Sequence, residues 1–284
     1  MTILVTGATG PLGRLTIDAL ISRGVPADQV AALVRDPAKA DDLVARGVDV
    51  RVGSYDDPQT LDAAFADVDR VVFISGSEVG QRIVQHQNVV DAATRAGVGL
   101  VAYTSIVRAD TSALGLAAEH QATEEMLAAS GVPHVLLRNS WYLENYTAQI
   151  PTQLEHGAVL GSAGDGRLNA ATRADFAEAA AVVVAEDGHE GQVYELGGDT
   201  AFSLADYAAE LSAQSGRPVV YQDFPVEEFA AVLVGAGLPE GYALALATSD
   251  EAIRDGALLV ETGDLSRLIG RPTTPLSDAI HAAL

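Results

Sequence analysis

Short apolar runs recur along the first half of the chain, each ending in polar or glycine residues: TILVT (2–6), QVAALV (29–34), VDVRVG (48–53), RVVFIS (70–75), LVAYTS (100–105) and HVLLRN (134–139). Between them, 14–22, 38–46, 60–66, 80–96 and 117–130 carry helical patterns, with Leu15, Ala19 and Leu20 able to share one face of the first. Alternation of this kind predicts βαβ units around a buried parallel sheet. Asp36 followed by Pro37 marks a helix start, and Gly24, Gly47, Gly97 and Gly131 stand where helices should stop.

After about residue 150 the pattern loosens. EHGAVLGSAGDGR suggests a strand and a glycine-rich loop, TRADFAEAAAVVVAE a helix opening near Asp175, and QVYELGG another strand. Helical segments follow near 203–215, 226–234, 239–254 and 276–283. The fold expected is α/β: a Rossmann-type doubly wound parallel sheet over 1–150, and a smaller C-terminal α/β lobe over 151–284. That lobe is expected to interleave partly with the first and to cover the C-terminal edge of the sheet.

The formal net charge of −22 repels nucleic acid and anionic membrane, so any anionic ligand must be held by local donors. There is no cysteine, which rules out disulfides and thiolate catalysis, and none of the five histidines other than His120 is grouped with carboxylates at metal-ligand spacing, so no metal is expected. No apolar run approaches the roughly 18 residues of a membrane span, and MTILVTG reads as a strand with its turn rather than a signal peptide. A cytoplasmic protein without membrane insertion is the expectation, and a homodimer is compatible with it.

The first strand runs into TGATGPLG: Thr6, Gly7, Ala8, Thr9, Gly10, Pro11, Leu12 and Gly13. Gly7 allows a sharp turn, Gly10 lets backbone approach a phosphate, and Gly13 lets the helix pack closely; the open helix N-terminus then receives a pyrophosphate. Alone the glycines describe only a tight βα turn, but they stand here in the strand-turn-helix context a dinucleotide site requires. The second strand runs into Arg35, whose guanidinium suits a 2′-phosphate, so NADPH is expected over NADH. An exposed Arg35 paired with Asp36 or Asp41 is the plainer alternative. Further contacts are expected from the loops after later strands, including Gly76 and Ser77, unless these form an ordinary turn.

Lys39 is the only lysine, so the Tyr-Lys dyad with which short-chain dehydrogenases protonate an alkoxide cannot exist here. Quinone reduction needs no such dyad, because the hydroquinone anion can take its proton from water. The candidates around a quinone ring are Asn139, Tyr142, Trp141, Tyr103 and His120. The plainer alternatives are that Asn139 caps the helix SWYLENY, Trp141 packs in the core, Tyr142 fills an interlobe seam, and His120 lies at the surface or in an N-terminal helical turn.

The segments TGATGPLG, ISGSEVGQR, YTSIVRADTSALGLAAEH, LLRNSWYLENY, AGDGRLNAATRADFAEAAA, HEGQVYELGGD and LIGRPTTPL resemble, nearly end to end, the NmrA-like branch of the atypical short-chain dehydrogenases, and within it the quinone reductases. The resemblance implies an NADPH-preferring two-electron quinone reductase whose C-terminal lobe forms the quinone cleft. Its cofactor contacts fall on Gly7 to Gly13, on Arg35, on Gly76, Ser77 and Glu78, and on Asn139, Ser140, Trp141, Tyr142, Leu143 and Glu144. Many relatives carry lysine where this chain has His120, which leaves His120 as a substitute proton donor. The branch also includes NADP(H)-binding redox sensors that act through a protein partner without turnover, and hydride transfer itself separates the two classes.

Overall fold

The computed structural model describes residues 1–78 and 80–284. In chain order the first part comprises β1 (Ile3–Val5), α1 (Pro11–Ser22), β2 (Val30–Val34), α2 (Asp41–Ala45), β3 (Asp49–Val52), α3 (Pro58–Ala64), β4 (Arg70–Phe73), α4 (Arg82–Ala96), β5 (Leu100–Ile106), α5 (Ala117–Ser130) and β6 (His134–Asn139). The second part comprises α6 (Glu144–Thr147), α7 (Ile150–His156), β7 (Ala158–Gly161), β8 (Arg167–Leu168), α8 (Arg173–Ala185), β9 (Val193–Leu196), β10 (Phe202–Ser203) and α9 (Leu204–Ser215). Then come β11 (Val220–Asp223), α10 (Val226–Gly235), α11 (Glu240–Arg254), α12 (Asp264–Ile269) and α13 (Leu276–Ala283).

Seven strands form one parallel sheet in the order β3-β2-β1-β4-β5-β6-β9. The chain builds outward from β1 toward β3, then returns and builds the other way from β4, so the strand order reverses between β1 and β4. In sheets of this type that reversal opens a crevice at the C-terminal strand ends. β1, β2 and β5 are buried along their whole length, which is why their sequences read as continuous apolar runs.

One apolar layer joins α1 and α8 to the sheet, and another lies under α3, α4 and α5. In α1 the residues packed deepest are Leu12, Thr16, Ile17 and Leu20, while the expected Leu15 and Ala19 are half-buried. The difference arises because α1 touches α8 as well as the sheet. Gly97 and Gly131 end α4 and α5 in the left-handed conformation, as expected of helix stops.

After β6, both α8 and β9 return to the large sheet, β9 as its edge strand beside β6. A third apolar cluster, including Tyr146, Val159, Phe202, Tyr207 and Ile253, holds the remaining C-terminal elements around two small sheets, β7 with β11 and β8 with β10. Among the described residues no helix is long and apolar enough to cross a membrane.

Candidate active site

Because the large sheet is parallel, the segments following β1, β2, β4 and β6 emerge at one edge. Gly7 has φ +58°, a left-handed turn that lets the chain leave β1 and enter α1. A Cβ on Gly13 would stand 2.4 Å from the Gly7 carbonyl oxygen and 2.7 Å from the Ala8 Cα, so this glycine seats α1 against the turn itself. A Cβ on Gly10 would meet only that carbonyl oxygen, at 3.2 Å. Pro11 opens α1, and no side chain caps its first turn. The positive end of the helix is thus without a side-chain cap.

Thr6 is fully buried and ties the two strands of the crevice together. Its hydroxyl accepts from the Ile74 N–H at 2.9 Å and is hydrogen-bonded to the Tyr55 hydroxyl, which donates to the Ile74 carbonyl at 2.8 Å. Beyond Ile74, Gly76 is fixed through both backbone groups. Its N–H donates to His86 Nε2 at 2.9 Å, and its carbonyl accepts from Arg82 Nε at 2.8 Å. Glu119 accepts from the Gly80 N–H at 2.8 Å and pairs with Arg82 at 3.1 Å, so α4 and α5 together set this loop.

His86 lies at 0% exposure, where burial, followed by the nearby Arg82 charge, pushes its pKa down to about 3. It is therefore neutral; accepting from Gly76 at Nε2 leaves its proton on Nδ1, directed at Thr123 Oγ1 2.8 Å away. Arg35 is well exposed and pairs across the edge with Glu78 at 2.9 Å, rather than with Asp36 or Asp41. Asp36 caps the following turn by accepting from the Ala38 N–H. Ser77 is exposed in the same loop.

At the end of β6, Asn139 is buried and its Oδ1 has no hydrogen-bond partner among the described residues. Leaving a buried acceptor unpaired costs about 1–3 kcal/mol. Ser140 prolongs the ladder by donating its N–H to the Leu196 carbonyl at 2.8 Å. Trp141 and Leu143 bracket Ala171 with backbone hydrogen bonds of 3.0 and 2.9 Å, and the side chain of each packs in the C-terminal core. Tyr142 stands between them, half-buried, with the Arg173 guanidinium 4.4 Å from its ring centre. Burial raises its phenol pKa against smaller opposing effects of Asn139 and Arg173. Both Glu144 carboxylate oxygens accept the Arg173 N–H, at 2.9 and 3.1 Å, and so cap α8.

Tyr103 and His120 stand apart from this edge. In the β5–β6 register Ile106 faces Asn139 and Tyr103 faces Leu136, three residues or about 10 Å back along the strands. The Tyr103 hydroxyl and His120 Nδ1 are 2.8 Å apart, both residues are buried, and Tyr103 packs on Phe73. Burial, followed by Arg82, pushes the His120 pKa down to about 3, and burial raises that of Tyr103. His120 is thus held as a neutral imidazole beside the Tyr103 hydroxyl.

Tyr55, Arg82, His86 and Glu119 were not among the residues expected at the site. The sequence does hold a signal, since Arg82 and His86 lie one helical turn apart on the face that α4 turns inward, as buried polar residues requiring partners. Arg138 was also missed. It forms a bidentate pair with Glu124 at 3.0 and 2.7 Å and reaches Glu195 at 2.9 Å, tying α5 and β9 to β6 one residue before Asn139.

An uncapped helix start over a glycine-rich turn at the strand reversal is the arrangement with which Rossmann-type sheets hold dinucleotides. The chain belongs to the NmrA-like family, whose profile matches residues 1–266. It is similar to quinone oxidoreductase 2 of Escherichia coli (strain K12), at 52% identity over 98% of this chain and 97% of that one. The crystal structure of the Escherichia coli NADPH-dependent quinone oxidoreductase complexed with NADPH matches with a TM-score of 0.96 and 52% identity over 99% of both chains. Triphenylmethane reductase of Citrobacter sp., complexed with NADP(H), matches with a TM-score of 0.95 and 41% identity over 100% of both chains.

Proposed function

We propose that the chain is an NADPH-dependent reductase that converts quinones to hydroquinones by direct hydride transfer. The observation that carries this reading is the 52% identity, over nearly all of both chains, to an enzyme named for quinone reduction. NADP(H) is the cofactor carried by both similar structures described above. A nucleotide sensor without turnover has no comparable support.

When bound, NADPH supplies the hydride. The Gly7 to Gly13 turn and the start of α1 hold its pyrophosphate, Arg35 reads the 2′-phosphate, and the Gly76 to Glu78 loop lines the ribose side. Asn139 Oδ1 accepts from the carboxamide N–H, which satisfies the orphaned acceptor and orients the nicotinamide face. Tyr142, stiffened by Arg173, flanks the ring, and the part of the chain from 151 onward that does not return to the large sheet closes over the quinone. Hydride plus one proton balances quinone to hydroquinone, and the proton comes from water, since His120 is buried against Tyr103. Tyr103 and His120 act as a buried pair that sets β5 against α5.

Reading of the 2′-phosphate by Arg35 is tested by Arg35→Ala. One charge-assisted hydrogen bond contributes about 1.5–3 kcal/mol, so NADPH affinity should fall roughly ten- to hundredfold while NADH affinity changes little. Equal losses for the two cofactors in fluorescence titration would remove Arg35 from that role.

A further inference from the structure

We propose that Glu78 sets the balance between the two nicotinamide cofactors by competing with the 2′-phosphate for Arg35. The inference rests on the reading of Arg35 given above. Arg35 follows β2 and Glu78 follows β4, with β1 between them, so their 2.9 Å pair bridges the sheet edge across the strand that leads into the glycine turn. The other Glu78 oxygen accepts from Gln85 Nε2 at 3.1 Å, and Gln85 also donates to Asp56 at 3.0 Å. Gly76, two residues earlier, is pinned by His86 and Arg82, which holds the loop where Glu78 reaches Arg35.

The two cofactors meet this pair differently. A 2′-phosphate is an anion that needs the guanidinium, and it must displace the Glu78 carboxylate or lie against it. A 2′-hydroxyl is a hydrogen-bond donor, for which the same carboxylate is an acceptor. Glu78 therefore opposes NADPH and favours NADH, and Arg35 does the reverse. The side chains are 70% and 46% exposed, so water screens the competition and each effect is small.

The test is fluorescence titration of NADPH and NADH into the wild type, Glu78→Gln, Arg35→Ala and the double variant. Glutamine keeps the size and removes the charge. Glu78→Gln should raise the ratio of NADH to NADPH dissociation constants by about two- to fivefold, and that gain should shrink when Arg35 is absent. A ratio that is unchanged or falls in Glu78→Gln, while Arg35→Ala lowers it, overturns the proposal and leaves the Arg35 reading standing. A ratio that Arg35→Ala does not alter overturns both. A gain that persists undiminished without Arg35 also overturns the proposal, because Glu78 would then act on the cofactor independently of the pair.

Discussion

Gly13 and Gly10 stand three residues apart in one turn, yet the structure gives them different tasks. A methyl group at 13 runs into backbone atoms that cannot give way, whereas at 10 it is merely tight. Gly13→Ala should destabilise the fold by about 1–3 kcal/mol, in the range of overpacking, and Gly10→Ala by much less. Adding NADPH should raise the unfolding midpoint of the wild type but give Gly10→Ala a much smaller increase, if the phosphate approaches at that residue. Denaturant unfolding with and without cofactor checks both; equal intrinsic losses in the two variants would contradict this division of labour. The three glycines were legible because their chemistry is local. The partner of Arg35 was not, because Glu78 lies 43 residues away and meets it only when β2 and β4 flank β1.

Among the elements, α4 and α5 carry the least expected feature, a polar layer between helix and sheet. His86 on α4 and His120 on α5 are both neutral, with pKa values pushed down to about 3, whereas in an unfolded chain histidine titrates near 6.5. Below that pH the unfolded state binds more protons, so this stabilisation, fully present above about pH 6.5, is lost as the pH falls. Each histidine should cost about 1.5 kcal/mol between pH 6.5 and 5. Denaturant titrations at the two pH values should show the wild type losing more stability than His86→Gln, and equal losses would mean that His86 is not held neutral. The long helices and the six N-terminal strands were legible in the apolar rhythm. α7 and α12, at seven and six residues, were not. β8, β10 and β11 are equally brief, and their pairings join distant segments.

At the scale of the whole molecule, the doubly wound order was legible because each strand-helix unit repeats the same local logic. The return of α8 and β9 to the large sheet was less so, since it depends on α8 packing against α1 and on the Arg138 cluster holding β9 beside β6. That return ties the segment from Ser140 to Glu144 to the C-terminal part of the chain, through Leu196, Leu258, Ala171 and Arg173. The edge that carries Tyr142 is therefore completed only by C-terminal residues.

Quinone-dependent oxidation of NADPH, followed by the loss of reduced-nicotinamide absorbance with 1,4-benzoquinone and corrected for the non-enzymatic rate, addresses the central claim most directly. The expected result is rapid turnover yielding one hydroquinone per NADPH, faster than with NADH at the same low cofactor concentration. Tight NADPH binding without quinone-dependent turnover would contradict the account and identify a nucleotide-binding protein that acts without chemistry.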